Sequence, residues 1–492
     1  MFTFWDWLVV AAYFAVMAGI GVYFSRRNRN LKDFMFGGGN MPWLAVGISL
    51  IATSVSASTF LGNPANTYAS DMRFLMLNFG AVASLFIIGA VFIPRFRASG
   101  ISSAYEYLEL RFSRRVRTLA AGLYSCHLLL RAGMLLFGPA LIIKVMLGVP
   151  IWISICTMAA GSILYTYFGG IRAIAWTDVL QFSIFMGSGL LIIWYCVDAV
   201  GSFGETFRLA SEAGKTRWFD ATWDPASARN IWSAGMAYIA FEVAIRGCDQ
   251  QFVQRYLSCR NAREANYSSI SSVLLGVCVG LVFFSVGAAL YVYFQVKQLD
   301  VLPGDATAND VLPFFIMNIL PTGLKGLLGA AIMGEALSSL NSLYAALSNT
   351  TVNDFLRKQG AEAVNLTDAK RWVLIWGVLA TLVAFVVAQS DQSLLDTALF
   401  FTSLFTGPLL ALFLLAFVRP HLNPAAILIA AFGGMATLLL FLKIPMLPAW
   451  EPVYPVAWTW NPLIAMTATL VLAEMLNRVM GRRQAAVRGR LS

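Results

Sequence analysis

The chain has 492 residues, 59% of them hydrophobic and only 12% charged, and its mean hydropathy is +0.70. A soluble globular chain carries about 25% charged residues, so a water-soluble fold is excluded. The formal net charge of +10 does not mark a nucleic-acid surface either, because the basic residues are spread over loops assigned below to one side of a membrane.

Apolar runs of about 20 residues, enough to cross ~30 Å of hydrocarbon as helix, recur along the whole sequence. The first, 4–25, has no basic segment before it and ends in Arg26-Arg27 instead of a small-residue cleavage site, so it reads as a retained span and not a signal peptide. Gly37-Gly38-Gly39 lacks the strand–helix context of a phosphate loop and is expected to be a flexible lead into the second span. Further spans are expected at 42–64, 73–94, 117–146, 150–168, 176–199, 230–254, 268–296, 311–352, 371–389, 395–418, 424–442 and 456–477, thirteen in all. The ninth is too long for one crossing, so its C-terminal part should bend or project into the cytoplasm. The loop 201–229 is mixed in charge and suits a short amphipathic helix.

Loops after odd-numbered spans hold about 24 basic residues, among them Arg26, Arg95, Arg117, Arg172, Arg255, Arg357 and Arg419, against about 9 on the other face. Lys and Arg stay cytoplasmic, which puts the N-terminus outside and the C-terminus inside. The six cysteines show no CxxC spacing, and His127 and His421 are the only histidines. No nucleophile or acid–base constellation stands out, so an enzyme is not expected.

The polar residues inside the spans carry the function. Thr53-Ser54-Val55-Ser56-Ala57-Ser58-Thr59 has five hydroxyls in seven residues, midway along the second span. Small residues of this kind can line a helix-packing stripe. Here they surround the helix, which favours a break whose freed carbonyls and hydroxyls coordinate an ion or cargo at mid-membrane. In the ninth span Ser338, Asn341 and Ser342 share one face next to Ser339 and Glu335. These oxygen-bearing side chains suit a hard cation such as Na+, while Ser/Thr pairing between helices remains the alternative. Arg131, Asp178, Glu242, Arg246, Asp249 and Glu335 each cost roughly 2.5–3.5 kcal/mol at a helix centre. Glu242 and Arg246, at i and i+4, can neutralise each other. Arg131 needs an anion, either a protein carboxylate or one on the cargo.

The second and seventh spans are both interrupted and lie five apart, the pointer to an inverted repeat with its site between the halves. This divides the chain into an extra N-terminal helix and basic loop (1–40), a first repeat of spans 2–6 (41–200), an extracellular loop (201–229), a second repeat of spans 7–11 (230–418), and two C-terminal helices with a basic tail (419–492).

Several motifs together resemble the sodium:solute symporter family: the glycine run with Pro42, the hydroxyl-rich break, Tyr165-Thr166 with Gly169-Gly170-Ile171 and Trp176-Thr177-Asp178, Asp249-Gln250 with Val253-Gln254-Arg255-Tyr256-Leu257, and Ser338-Ser339-Leu340-Asn341-Ser342. The register of Ile101–Glu109, Arg111-Phe112 and Arg131 is similar to bacterial sialic acid symporters. The resemblance implies an all-α polytopic, LeuT-like five-plus-five fold and a sodium-coupled importer of an organic acid, a sialic acid or related acidic sugar. It implies cargo contacts from Ser54, Ser56, Thr59, Phe74, Asn78 and Arg131. It implies a main sodium site from Ala52, Val55, Glu335, Ser338 and Ser339, and a second from Asp178, Ser338, Asn341 and Ser342. Against the family register, Glu335 replaces a small residue, Asn341 a serine, Asn78 a glutamine and Ser54 a threonine. Expected partners are Na+, the small-molecule cargo and the bilayer of a plasma membrane, specifically a bacterial inner membrane, with the monomer as functional unit. Alternatives are a symporter of a monocarboxylate or neutral polyol and, more remotely, a sensor or channel on the same fold.

Overall fold

The computed structural model describes residues 2–26, 30–55, 57–147, 149–298, 308–357, 365–389, 394–441 and 453–491. Ser56, expected to contact cargo, lies outside them. Among the described residues all regular structure is helical.

Helix α1 (Phe4–Ser25) opens with a capping box between Thr3 and Asp6. After α2 (Leu31–Phe36), Gly37, Gly38 and Gly39 have φ of 56°, 76° and 71°. They turn the chain by 111° into α3 (Trp43–Ser54). The expected flexible lead is instead a tight left-handed turn, a conformation that residues with a Cβ rarely adopt. A Cβ at position 37 would also come 2.6 Å from the Met41 sulfur. At Val55 the backbone is extended (φ −78°, ψ 147°), and α4 (Ala57–Ala69) completes the broken span. The third span, 73–98, contains α5 (Leu77–Ile87) and α6 (Ile93–Ala98) joined through a π-helical turn.

Beyond α7 (Glu106–Arg111) come α8 (Arg114–Leu147) and α9 (Ile151–Val200). At 1.5 Å per residue, fifty residues of α9 run about 75 Å, more than twice the hydrocarbon thickness. Gly170 (φ 64°, ψ −177°) divides it into two helical segments, with a kink where a loop between spans 150–168 and 176–199 was expected. The amphipathic helix expected in 201–229 is α10 (Phe203–Glu212). A second broken span follows: α11 (Tyr238–Cys248) and α12 (Gln250–Ser258) meet at Asp249, which is extended (φ −77°, ψ 125°) and caps α12 through Gln251.

Helix α13 (Ala262–Val296) packs against α3, α4 and α9. The expected ninth span divides at its N-terminal end, not its C-terminal one, into α14 (Val311–Asn318) and α15 (Leu324–Thr350). Pro321 and Gly323 (φ 88°) stop the helix there. Buried Asp6 then caps α15, accepting from the Gly323 and Gly326 amides at 2.7 and 3.1 Å. The chain closes with α16 (Leu366–Ala388), α17 (Leu394–Val418), α18 (Pro424–Thr437) and α19 (Asn461–Leu491).

Seven continuous helical runs among the described residues are long and apolar enough to cross a bilayer: Phe4–Ser25, Arg73–Ala98, Arg114–Phe137, Ile151–Val200, Ala262–Val296, Leu366–Ala388 and Trp458–Met480. Lipid tails are as apolar as leucine, so packing and interhelical hydrogen bonds hold such helices together. Phe60 of α4, Phe185 of α9 and Phe283 of α13 interlock, with ring centroids 4.3–5.5 Å apart. They fix α4, the second half of the broken span, between two long helices.

Candidate cation and cargo site

The break in the second span and the middle of α15 form one site. In the last turn of α3 the carbonyls run out of helical donors. The Val55 carbonyl, aimed away by its extended backbone, accepts from Ser339 Oγ at 3.3 Å. Ala52, one turn earlier, is fully buried. Ser338 Oγ donates to Asp178 Oδ1 of α9 at 2.5 Å, and Ser49 of α3 donates to Asp178 Oδ2. The Val55 carbonyl and the Ser338 and Ser339 hydroxyls lie together here beside the Asp178 carboxylate, an oxygen donor set that fits a hard cation such as Na+. Held there, Na+ would tie α3 to α15.

Asp178 is completely buried, and its counter-ion is Arg255 of α12. Arg255 places Nη2 3.4 Å from Asp178 Oδ2 and 2.7 Å from Ser342 Oγ, Nε 2.7 Å from Ser49 Oγ, and Nη1 3.1 Å from the Gln251 carbonyl. Of the four residues expected at a second sodium site, Asp178 and Ser342 thus meet on this guanidinium, and Ser338 joins them through Asp178. The fourth, Asn341, turns away, and its Oδ1 accepts from Ser162 at 2.9 Å and Thr166 at 3.1 Å on the first half of α9. Glu335 is 1% exposed, and its Oε1 has no hydrogen-bond partner among the described residues.

The residues expected to meet cargo are more open. Ser54 is exposed at the break and donates to the Leu50 carbonyl at 3.3 Å, while Thr59 is half-buried. Asn78 donates Nδ2 to the Leu75 carbonyl at 3.0 Å. The half-buried Phe74 ring lies 5.2 Å beneath the Arg229 guanidinium. Arg131, on α8, is half-buried and forms no ion pair among the described residues. It is within electrostatic reach of Asp249 and Tyr124, but Asp249 Oδ1 is already taken by the Tyr124 hydroxyl at 2.5 Å and the Gln251 amide at 2.7 Å. Glu242 is not free for Arg131 either. It accepts from Arg246 Nε at 2.6 Å, the self-pairing that their i, i+4 spacing suggested.

The sequence reading missed Arg255, Ser49, Ser162 and Thr166. The available signal was charge balance: Asp178 was a carboxylate expected inside a span and Arg255 the first base after the seventh span, each without an assigned protein partner.

With this geometry in place the comparison with known proteins is direct. The sequence model of the sodium:solute symporter family matches residues 34–434. The chain belongs to the sodium:solute symporter family. This symporter is 29% identical over 448 residues to the sodium/sialic acid symporter SiaT of Proteus mirabilis, covering 89% of each chain. It is 30% identical over 443 residues to sodium-coupled monocarboxylate transporter 2 of Mus musculus, covering 88% of this chain and 70% of that one. A solved structure of the substrate-bound, outward-open state of a Na+-coupled sialic acid symporter is similar throughout, with TM-score 0.87 at 27% identity over 97% of this chain and 98% of that one. The symporter is thus an all-helical, multi-pass membrane transporter and not an enzyme.

Proposed function

We propose that this symporter imports an organic acid, a sialic acid or a related acidic sugar, coupled to Na+ by alternating access. One observation carries the cargo class: Arg131 is a half-buried arginine that forms no ion pair among the described residues, since the nearby Asp249 carboxylate is held by Tyr124 and Gln251, Glu242 serves Arg246 and Asp178 serves Arg255. A guanidinium presents a planar fork that matches a carboxylate with two parallel hydrogen bonds, so an anionic cargo supplies what the protein leaves out. Ser54, Ser56, Thr59, Asn78 and Phe74 would meet the rest of the sugar.

Coupling follows from the shared break. Na+ on the Ala52 and Val55 carbonyls, the Glu335 carbonyl and the Ser338 and Ser339 hydroxyls holds α3 against α15. That contact preorganises Ser54 and Thr59 on either side of the break. Release of Na+ to the inside loosens it and lets the cargo follow. A short monocarboxylate is the second reading, favoured by the 30% identity to a monocarboxylate transporter.

The topology belongs to the same proposal: thirteen spans, N-terminus outside, C-terminus inside, repeats at 41–200 and 230–418, in the inner membrane of a bacterium as a functional monomer. Contacts between distant loops support it, because each joins segments assigned to one face. Outside, Asp6 meets Gly323 and Arg73 meets Asp220. Inside, Arg97 donates to the Leu257 and Arg260 carbonyls and Arg419 pairs with Glu474.

The test is uptake of labelled sialic acid by purified protein in liposomes. The proposal expects uptake that requires an inward Na+ gradient and is inhibited by acidic sugars. Inhibition by short monocarboxylates alone moves the cargo to the second reading, and uptake indifferent to Na+ overturns the coupling.

A further inference from the structure

Glu335 brings a charge that neither the main-chain sodium ligands nor the cargo residues use. It lies three and four residues before Ser338 and Ser339, on the same face of α15. Its carboxylate is buried, with Oε1 unpartnered among the described residues. Two further buried oxygens from other helices, on side chains that also face each other, lie beside the neighbouring Gly334. The Tyr13 hydroxyl of α1 packs on Gly334, where an added Cβ would lie 1.8 Å from it, and it is within electrostatic reach of both Glu335 and Asp178. Gln181 of α9 donates Nε2 to the Gly334 carbonyl at 2.8 Å, leaving its Oε1 buried and without a hydrogen-bond partner among the described residues. The neighbouring cations are committed elsewhere, Arg255 to Asp178 and Arg246 to Glu242. An isolated carboxylate in apolar protein is strongly disfavoured, so buried charges are paired or hold a metal ion.

We propose that the Glu335 carboxylate, the Tyr13 hydroxyl and the Gln181 amide oxygen hold a Na+ of their own, beside the ion at Val55 and Ser339. Every donor is oxygen, as a hard cation prefers, and the carboxylate supplies the balancing charge. Only glycine at position 334 lets Tyr13 come this close. The site is distinct from the arrangement of Asp178, Asn341 and Ser342, whose oxygens are taken by Arg255, Ser162 and Thr166. A monoanionic cargo carried with one Na+ moves no net charge; with two it moves one positive charge inward, which an inside-negative potential drives. The identity of the ion rests on the sodium-coupled reading above.

The experiment is direct Na+ binding to the purified symporter, counted as ions per chain, in wild type, Glu335→Gln, Tyr13→Phe and the Ser338→Ala/Ser339→Ala pair. The inference expects Glu335→Gln to bind one Na+ fewer and to keep the other. Tyr13→Phe should weaken that same ion by about tenfold, the loss of one good oxygen ligand. The serine pair should lose the ion at Val55 and keep the one at Glu335. Unchanged ion count and affinity in folded Glu335→Gln overturns the inference, and so does unchanged affinity in Tyr13→Phe should the glutamine variant not fold. Wild type that binds no Na+ at all overturns the coupling reading instead.

Discussion

Around Asp178 the side chains of Ser49, Ser338, Ser342 and Arg255 are at most 2% exposed, and each has a polar partner. Around the cargo residues Ser54 is exposed, and Thr59, Phe74, Asn78 and Arg131 are only half-buried. Both halves grow from the same broken helix, yet the first is closed by its own hydrogen bonds and the second leaves a guanidinium unpaired. The contrast separates two kinds of residue. In the closed half a polar group is part of what holds the helices together, so its loss is felt in folding. In the open half a polar group waits for a ligand, so its loss is felt in recognition.

The largest effect that would sharpen this contrast is Asp178→Ala. It strands the buried Arg255 charge and the Ser338 and Ser49 hydroxyls, and removing one partner of a buried pair costs about 3–5 kcal/mol. Unfolding in detergent should register a loss of that order; a change under about 1 kcal/mol would break the distinction.

Replacing Ser338 and Ser339 together by alanine removes two hydrogen bonds, worth about 1 kcal/mol each in folding. It should weaken Na+ binding by at least about tenfold, read as loss of the Na+-dependent rise in melting temperature. A variant that keeps the full Na+ shift would detach the ion from this half.

A smaller effect concerns the clasp just past the end of α15. Asp354 accepts from Arg117 Nε at 2.8 Å and from the Ser103 hydroxyl, and Arg117 also pairs with Glu109. Burial pushes the Asp354 carboxyl up to about 7, against the opposing pull of Arg117. Between the usual value of 3.8 and about 7 the folded chain holds a proton that the unfolded chain has released, so this group's contribution to stability falls as pH rises through that window and is constant above it. Stability measured from pH 5 to 8 should decline less steeply in Asp354→Asn than in wild type. Equal slopes would show that the clasp is not where the proton sits.

Much of the frame was legible because its causes are local. Five hydroxyls around a helix cannot all find a packing stripe, so the break at Val55 could be read from Thr53–Thr59. The polar interruption of the seventh span signalled a break there, found at Asp249, and the spacing of Glu242 and Arg246 signalled their own ion pair. What escaped depends on long-range pairing. Asp178 and Arg255 lie 77 residues apart, and Asn341 meets Ser162 across 179. No periodicity encodes such contacts. The position of the division between α14 and α15 was misjudged because the run of apolar residues continues past Pro321-Thr322-Gly323, and the deciding feature is the left-handed Gly323 capped from α1 by Asp6.

The account's central claim is that Arg131 is the carboxylate anchor of a sodium-coupled importer. The most direct test is thermal stabilisation of the purified symporter by a panel of acidic sugars, monocarboxylates and neutral polyols, with and without Na+, in wild type and Arg131→Ala. Ligand binding raises stability by mass action, and Arg131 forms no ion pair to lose among the described residues, so the ligand-free variant should melt close to wild type. The account predicts stabilisation by sialic acid only with Na+, abolished in Arg131→Ala. Stabilisation by neutral polyols that persists in the variant would contradict it and make Arg131 a structural residue.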